Sequence, residues 1–167
     1  MESNKICPLC KPQTIVTNGL SLCKFHRSYE HRHIFTICLQ DNKRAQKLGL
    51  LGDLTAEQFV IATRYFSTTE NGLTYWACAY CGIKCTPGLD HWNPLSLGGA
   101  TTFTNVLPCC PTCNFMKSAM TGYEFLDYMI RVWKSPTAAM SKTKITLYWQ
   151  LVERGIEEVY QHAMGLK

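Results

Sequence analysis

The sequence predicts an α+β fold: a small zinc-clamped core of short strands and a helix, with flanking helices and an N-terminal zinc-binding unit. Three observations carry this prediction. The chain of 167 residues holds ten cysteines, and seven of them stand in C-x2-C or C-x2-H pairs. Runs rich in β-branched and aromatic residues lie beside the later pairs, at 73–80 and 103–108. Apolar residues recur at helical spacing on both sides of that region.

Composition narrows the class. The opening MESNKICPLC lacks the apolar stretch of a signal peptide, and no apolar run approaches a membrane span. The expectation is a reducing cytoplasm with no membrane partner, where paired cysteines serve as metal ligands rather than disulfides. Charge is unevenly placed. Residues 1–47 hold eight Lys/Arg against three acids, 8 − 3 = +5, while residues 48–167 hold nine of each. The whole excess sits in the first quarter, which suits contact with a polyanion, although a solubilising tail would carry the same charge.

The elements follow in order. Residues 1–26 form a short turn-rich unit. Residues 27–48, RSYEHRHIFTICLQDNKRAQKL, lack Gly and Pro and predict a basic helix. Gly49 and Gly52 break it, and GDLTAEQFVIATRYF then opens a second helix. Thr55 is its N-cap, with Gln58 three residues on as in a capping box. Phe59, Val60, Ala62 and Phe66 give that helix a core-facing stripe. Short strands are expected at 73–80 and at 103–108, FTNVLP. From Pro111 a helix should run to Trp133, interrupted near Gly122, with Pro136 ending it. A last helix is expected over 143–163, with Ile145, Tyr148, Leu151, Val152, Ile156, Val159 and Tyr160 on its buried side. The resulting divisions are a zinc unit with basic helix at 1–48, a helical leader at 49–74, a core at 75–120 and packing helices at 121–167.

Two metal clusters can be read. Cys7, Cys10, Cys23 and His26 make a C-x2-C-x12-C-x2-H pattern that suits one tetrahedral structural Zn²⁺, with His31 or His33 as alternative fourth ligands. Cys78, Cys81, Cys110 and Cys113 make a second, C-x2-C-x28-C-x2-C. Its link is longer than the roughly 15–20 residues usual between such pairs, so something has been inserted. Cys85 and Cys109 are left out as ligands because they break the x2 spacing. Cys38 reads as a buried apolar residue.

The insertion contains GLDHWNPLSLGG, residues 88–99. Asp90 is a hard oxygen ligand for a divalent ion, and His91 is the side chain best suited to take a proton near neutral pH. Pro94 and Gly98-Gly99 shape a loop. Asn105 and Asn114 add amides, and Lys117 follows Asn114 by nearly one helical turn, where it could hold a phosphate. Trp92 is expected in the core rather than against nucleic acid.

C-x2-C, LDH, PLSxGG, an Asn, C-x2-CN and a Lys together resemble the HNH endonuclease family, which has the ββα-metal fold. The resemblance covers about residues 75–120, and GDLTAEQF resembles the leader helix of many bacterial and phage members. It implies that His91 is the general base and that Asp90 and Asn114 bind the catalytic ion. It further implies that Asn105 holds the loop and that Lys117 binds phosphate. Asn114 stands where many members have His, which implies Mg²⁺ or Mn²⁺ held through oxygen.

The implied activity is metal-dependent hydrolysis of DNA phosphodiester bonds, by site-specific nicking or double-strand cleavage of restriction, homing or phage type. It would take place in a bacterial cytoplasm, on DNA that is most simply double-stranded. Two structural Zn²⁺ and one catalytic Mg²⁺ or Mn²⁺ are the expected cofactors. A single site cuts one strand per visit, so a homodimer is one route to cutting both. Arg27, Arg32, Lys43 and Arg44, spread along the basic helix, are the candidate DNA contacts beyond Lys117. The competing reading is a zinc-stabilised nucleic-acid-binding module without catalysis. It explains the cysteines and the basic arm but does not require Asp90, His91, Asn105, Asn114 and Lys117 together.

Overall fold

The computed structural model describes residues 30–166. Cys7, Cys10, Cys23, His26, Arg27 and the side chains of His31 and Arg32 lie outside the described residues, and with them the first zinc cluster.

Helix α1 (Glu30–Lys47) buries a stripe of Ile34, Cys38, Asp41 and Ala45, a spacing of three to four residues that places all four on one face. Lys43 stands in solvent on the opposite face, and Arg44 is exposed on the flank beside Asp41. Helix α2 (Ala56–Phe66) begins at Thr55 with a complete capping box. The Thr55 hydroxyl accepts from Gln58 N at 3.2 Å, and Gln58 Oε1 accepts from Thr55 N at 3.0 Å. Nearly every residue of α2 is buried, Phe59 and Ala62 completely, so it runs through the centre of the core. Strands β1 (Thr68–Glu70) and β2 (Leu73–Tyr75) form an exposed antiparallel hairpin.

The core that positions the site consists of β3 (Gly88–His91), β4 (Val106–Cys109) and helix α3 (Pro111–Lys117). The strands are antiparallel, with Asp90 opposite Leu107 and His91 opposite Val106. Helices α4 (Gly122–Arg131), α5 (Pro136–Arg154) and α6 (Ile156–Ala163) close the far side. Tyr65, Phe66, Phe103, Tyr148 and Trp149 join α2 to α5 through an aromatic cluster with ring centroids about 5–6 Å apart.

Several boundaries differ from expectation for identifiable reasons. The run 76–80 is not strand. Its backbone turns instead, Cys78 N donating to Ile83 O and Gly82 N to Cys78 O, so that Cys78 and Cys81 can converge. Residues 103–105 form a 3-10 turn, and strand begins only at Val106. The helix after Pro111 stops at Lys117 rather than near Gly122, because Ser118 takes a positive φ of 49° and Thr121 starts a new capping box with Glu124. Pro136 begins α5 at its first turn, where its missing N–H has no helical partner to lose, so the last helix starts earlier than expected. Gly155, at φ 116°, splits that helix into α5 and α6.

Candidate active site

Four sulfurs build the foundation. The Sγ atoms of Cys78, Cys81, Cys110 and Cys113 all lie within 4.8 Å of one another. Cys110 is the N-cap of α3, and Pro111 follows at the first helical position, so the helix start and the ligand pair are one feature. Four thiolates this close repel one another unless a cation neutralises them, and tetrahedral Zn²⁺ supplies that charge. Cys85 and Cys109 are not in this group. Cys38 is buried, as the sequence suggested, and burial pushes its thiol up to about 12.

Asn105 staples the intervening loop. Its Oδ1 accepts from Asn93 N at 2.8 Å, while its Nδ2 donates to Asn93 O at 3.0 Å and to Ala100 O at 2.8 Å. The loop is so tight that a Cβ on Gly99 would sit 1.7 Å from Asn93 O. Trp92 packs beside it, partly buried against the core, its ring pressed onto Gly122 and 4.7 Å from the Tyr123 ring.

Asp90, His91 and Asn114 line one cavity of about 300 Å³, together with Arg44, Lys117 and Pro94. The Asp90 carboxylate is buried. Its Oδ2 accepts from the Tyr80 hydroxyl at 2.7 Å, and its Oδ1 meets Lys117 Nζ at 3.1 Å. Burial raises the Asp90 pKa above the ordinary carboxylate value, and Lys117 and Tyr80 work against that rise. Lys117 is placed otherwise than a phosphate-facing lysine would be. It is 1% exposed, and its ammonium donates also to His91 O at 2.8 Å.

His91 Nε2 lies 2.8 Å from Thr101 Oγ1. Burial, then the positive charges of Arg44 and Lys117, push the imidazole down to about 4, so it is neutral at pH 7. Asn114 Nδ2 points to Leu89 O at 3.4 Å, which leaves the amide oxygen as the group able to meet a cation. A carboxylate and an amide oxygen on one cavity form a donor set that fits a hard divalent ion. Arg44 reaches the same cavity from α1 while pairing with Asp41 Oδ1 at 2.6 Å.

Residues 78–119 match the HNH endonuclease family. The chain carries an HNH domain. Its four-cysteine cluster is compatible with the zinc-stabilised form of that domain, set within an α+β fold. No curated protein and no solved structure matches the chain. Among the described residues, no helix is long and apolar enough to cross a membrane.

The structure brings Asp90, His91 and Asn114 of the HNH domain together, with Arg44 from outside it. Lys43, also expected at DNA, is exposed on α1 and does not line the cavity. Sequence reasoning missed Tyr80 and Thr101. Tyr80 lies inside the first cysteine knuckle and reads there as a strand aromatic. Thr101 follows a Gly-Gly turn and carries no local signal at all.

Proposed function

We propose that this protein is a metal-dependent endonuclease that hydrolyses DNA phosphodiester bonds. The observation that carries the reading is the convergence of Asp90, His91 and Asn114 on a single cavity inside the residues that match the HNH family. Asp90 and Asn114 would hold Mg²⁺ or Mn²⁺, which supplies Lewis-acid stabilisation of charge on the phosphate. Neutral His91 takes a proton from water, and the water oxygen forms a bond to phosphorus. The bond from phosphorus to the leaving oxygen breaks with its electron pair staying on that oxygen, which then takes up a proton.

Arg44 supplies the exposed cation at the cavity rim and is assigned to the scissile phosphate. Its planar fork of donors suits two phosphate oxygens. Lys117, with its ammonium on Asp90 and the His91 carbonyl, is assigned to holding those two residues in place. Lys43, Arg27 and Arg32 contact flanking phosphates, and such contacts make binding weaken as salt rises. Cys78, Cys81, Cys110 and Cys113 hold one structural Zn²⁺. Cys7, Cys10, Cys23 and His26 are assigned a second.

Incubation of supercoiled plasmid with Mg²⁺ or Mn²⁺ tests the reading. The wild type should yield nicked or linear DNA, and His91→Ala should not. Equal product from both proteins would remove His91 from its role. DNA retardation without cleavage, on plasmid and on genomic DNA alike, would replace the enzyme with a binding module.

A further inference from the structure

The Thr101 hydroxyl contacts two groups, His91 Nε2 at 2.8 Å and the carbonyl oxygen of Asp41 in α1 at 3.1 Å. A hydroxyl has one proton to give, and a carbonyl oxygen can only accept. The Thr101 proton is therefore directed to Asp41 O, and a lone pair of Oγ1 faces the imidazole. Nε2 must then be the N–H of the ring, which leaves the lone pair on Nδ1. The opposite tautomer would turn the Thr101 proton to Nε2 and take it away from Asp41.

We propose that Thr101 is the positioning residue for the His91 base: anchored on α1, it holds the imidazole as the Nε2–H tautomer, so that Nδ1 is the atom that accepts the proton from water. This rests on the nuclease reading and adds to it the identity of the accepting atom and the part of the chain that sets it.

Thr101 is fixed on every side. It is fully buried. Its N–H donates to Leu51 O at 2.9 Å, and its carbonyl accepts from both Asp53 N and Leu54 N at 3.2 Å. The loop that makes these bonds is itself locked to α1. Asn42 Nδ2 donates to Leu54 O at 2.9 Å, and Leu54 N donates back to Asn42 Oδ1 at 3.1 Å. Gly52 lies so close that a Cβ there would be 2.5 Å from Asn42 O. Asp41, Asn42 and the 51–54 loop all precede the residues that match the family. The basic helix is thus a structural part of the catalytic centre as well as a carrier of positive charge.

The experiment uses the full zinc-loaded chain. Long-range ¹⁵N–¹H correlation spectra report which ring nitrogen of His91 bears the proton. The wild type should show the Nε2–H form. Thr101→Val keeps the side-chain shape without the hydroxyl and should mix the tautomers. It should also lower the turnover number about 10–100-fold, the usual effect of losing such an outer partner. Thr101→Ser, which restores the hydroxyl, should recover most of that loss. Zinc content and thermal unfolding check that each variant is folded.

An Nδ1–H wild type would overturn the assignment without any variant. So would Thr101→Val with full turnover, or with reduced turnover and an unchanged tautomer. A wild type that cuts no DNA sinks the nuclease reading, while its spectrum still decides the tautomer.

Discussion

Replacing Lys117 with Met removes a buried ammonium while keeping most of the aliphatic stem. The side chains of Lys117 and Asp90 are 1% and 5% exposed, so water screens neither charge. Losing one partner of such a pair costs about 3–5 kcal/mol, chiefly because the other charge stays buried alone. For a chain of this size that corresponds to a melting temperature lower by roughly 6–20 °C. The loss has a pH signature. Lys117 is the largest influence opposing the burial-driven rise of the Asp90 pKa, so in Lys117→Met that pKa climbs further. A carboxyl raised in the folded state favours folding below its unfolded value of about 3.9 and loses that contribution as pH rises through the folded value. The deficit of the variant should therefore be small near pH 4 and larger at about pH 8. Urea unfolding in Mg²⁺-free, zinc-containing buffer at both pH values measures it, and adding Asp90→Asn to the variant should restore most of the stability. A deficit below about 1 kcal/mol at the higher pH would refute the buried pair and return Lys117 to a solvent- or phosphate-facing place.

Three further outcomes are expected. Cys110→Ser should lower bound zinc by one equivalent per chain and weaken the fold, since the same residue caps α3; unchanged zinc content would exclude the four-sulfur site. Gly99→Ala should force Asn93 and Asn105 apart at a cost of about 1–3 kcal/mol and reduce cleavage, and an unaffected melt would contradict the closeness of the loop. The acid limb of kcat/KM should lie below the ordinary histidine value of about 6.5, because burial, Arg44 and Lys117 depress His91, and Arg44→Ala should move it upward; a wild-type limb at or above that value would refute the depression.

The sequence alone was enough for the features that depend on short spacing or local chemistry. The cysteine pairs were legible because two intervening residues set the reach of a knuckle. The start of α2 was legible because Thr55 and Gln58 satisfy each other within one turn. The order of Asp90, His91, Asn105 and Asn114 along the chain is by itself enough to resemble the HNH family. The extent of helix was less legible near Ser118 and Gly155, where backbone turns compete with apolar periodicity.

Only the tertiary structure decided the surroundings of the chemistry. Lys117 reads as a phosphate ligand by position, and packing buries it on Asp90. Arg44 reads as one basic residue among several on α1, and folding brings it to the cavity of His91. Thr101 and Asp41 lie 60 residues apart and meet only because α1 packs across the core. Sequence spacing encodes contacts within a turn or a hairpin. Burial and long-range hydrogen bonds arise when separate elements close on one another, and no local pattern records which side chain will be left facing water.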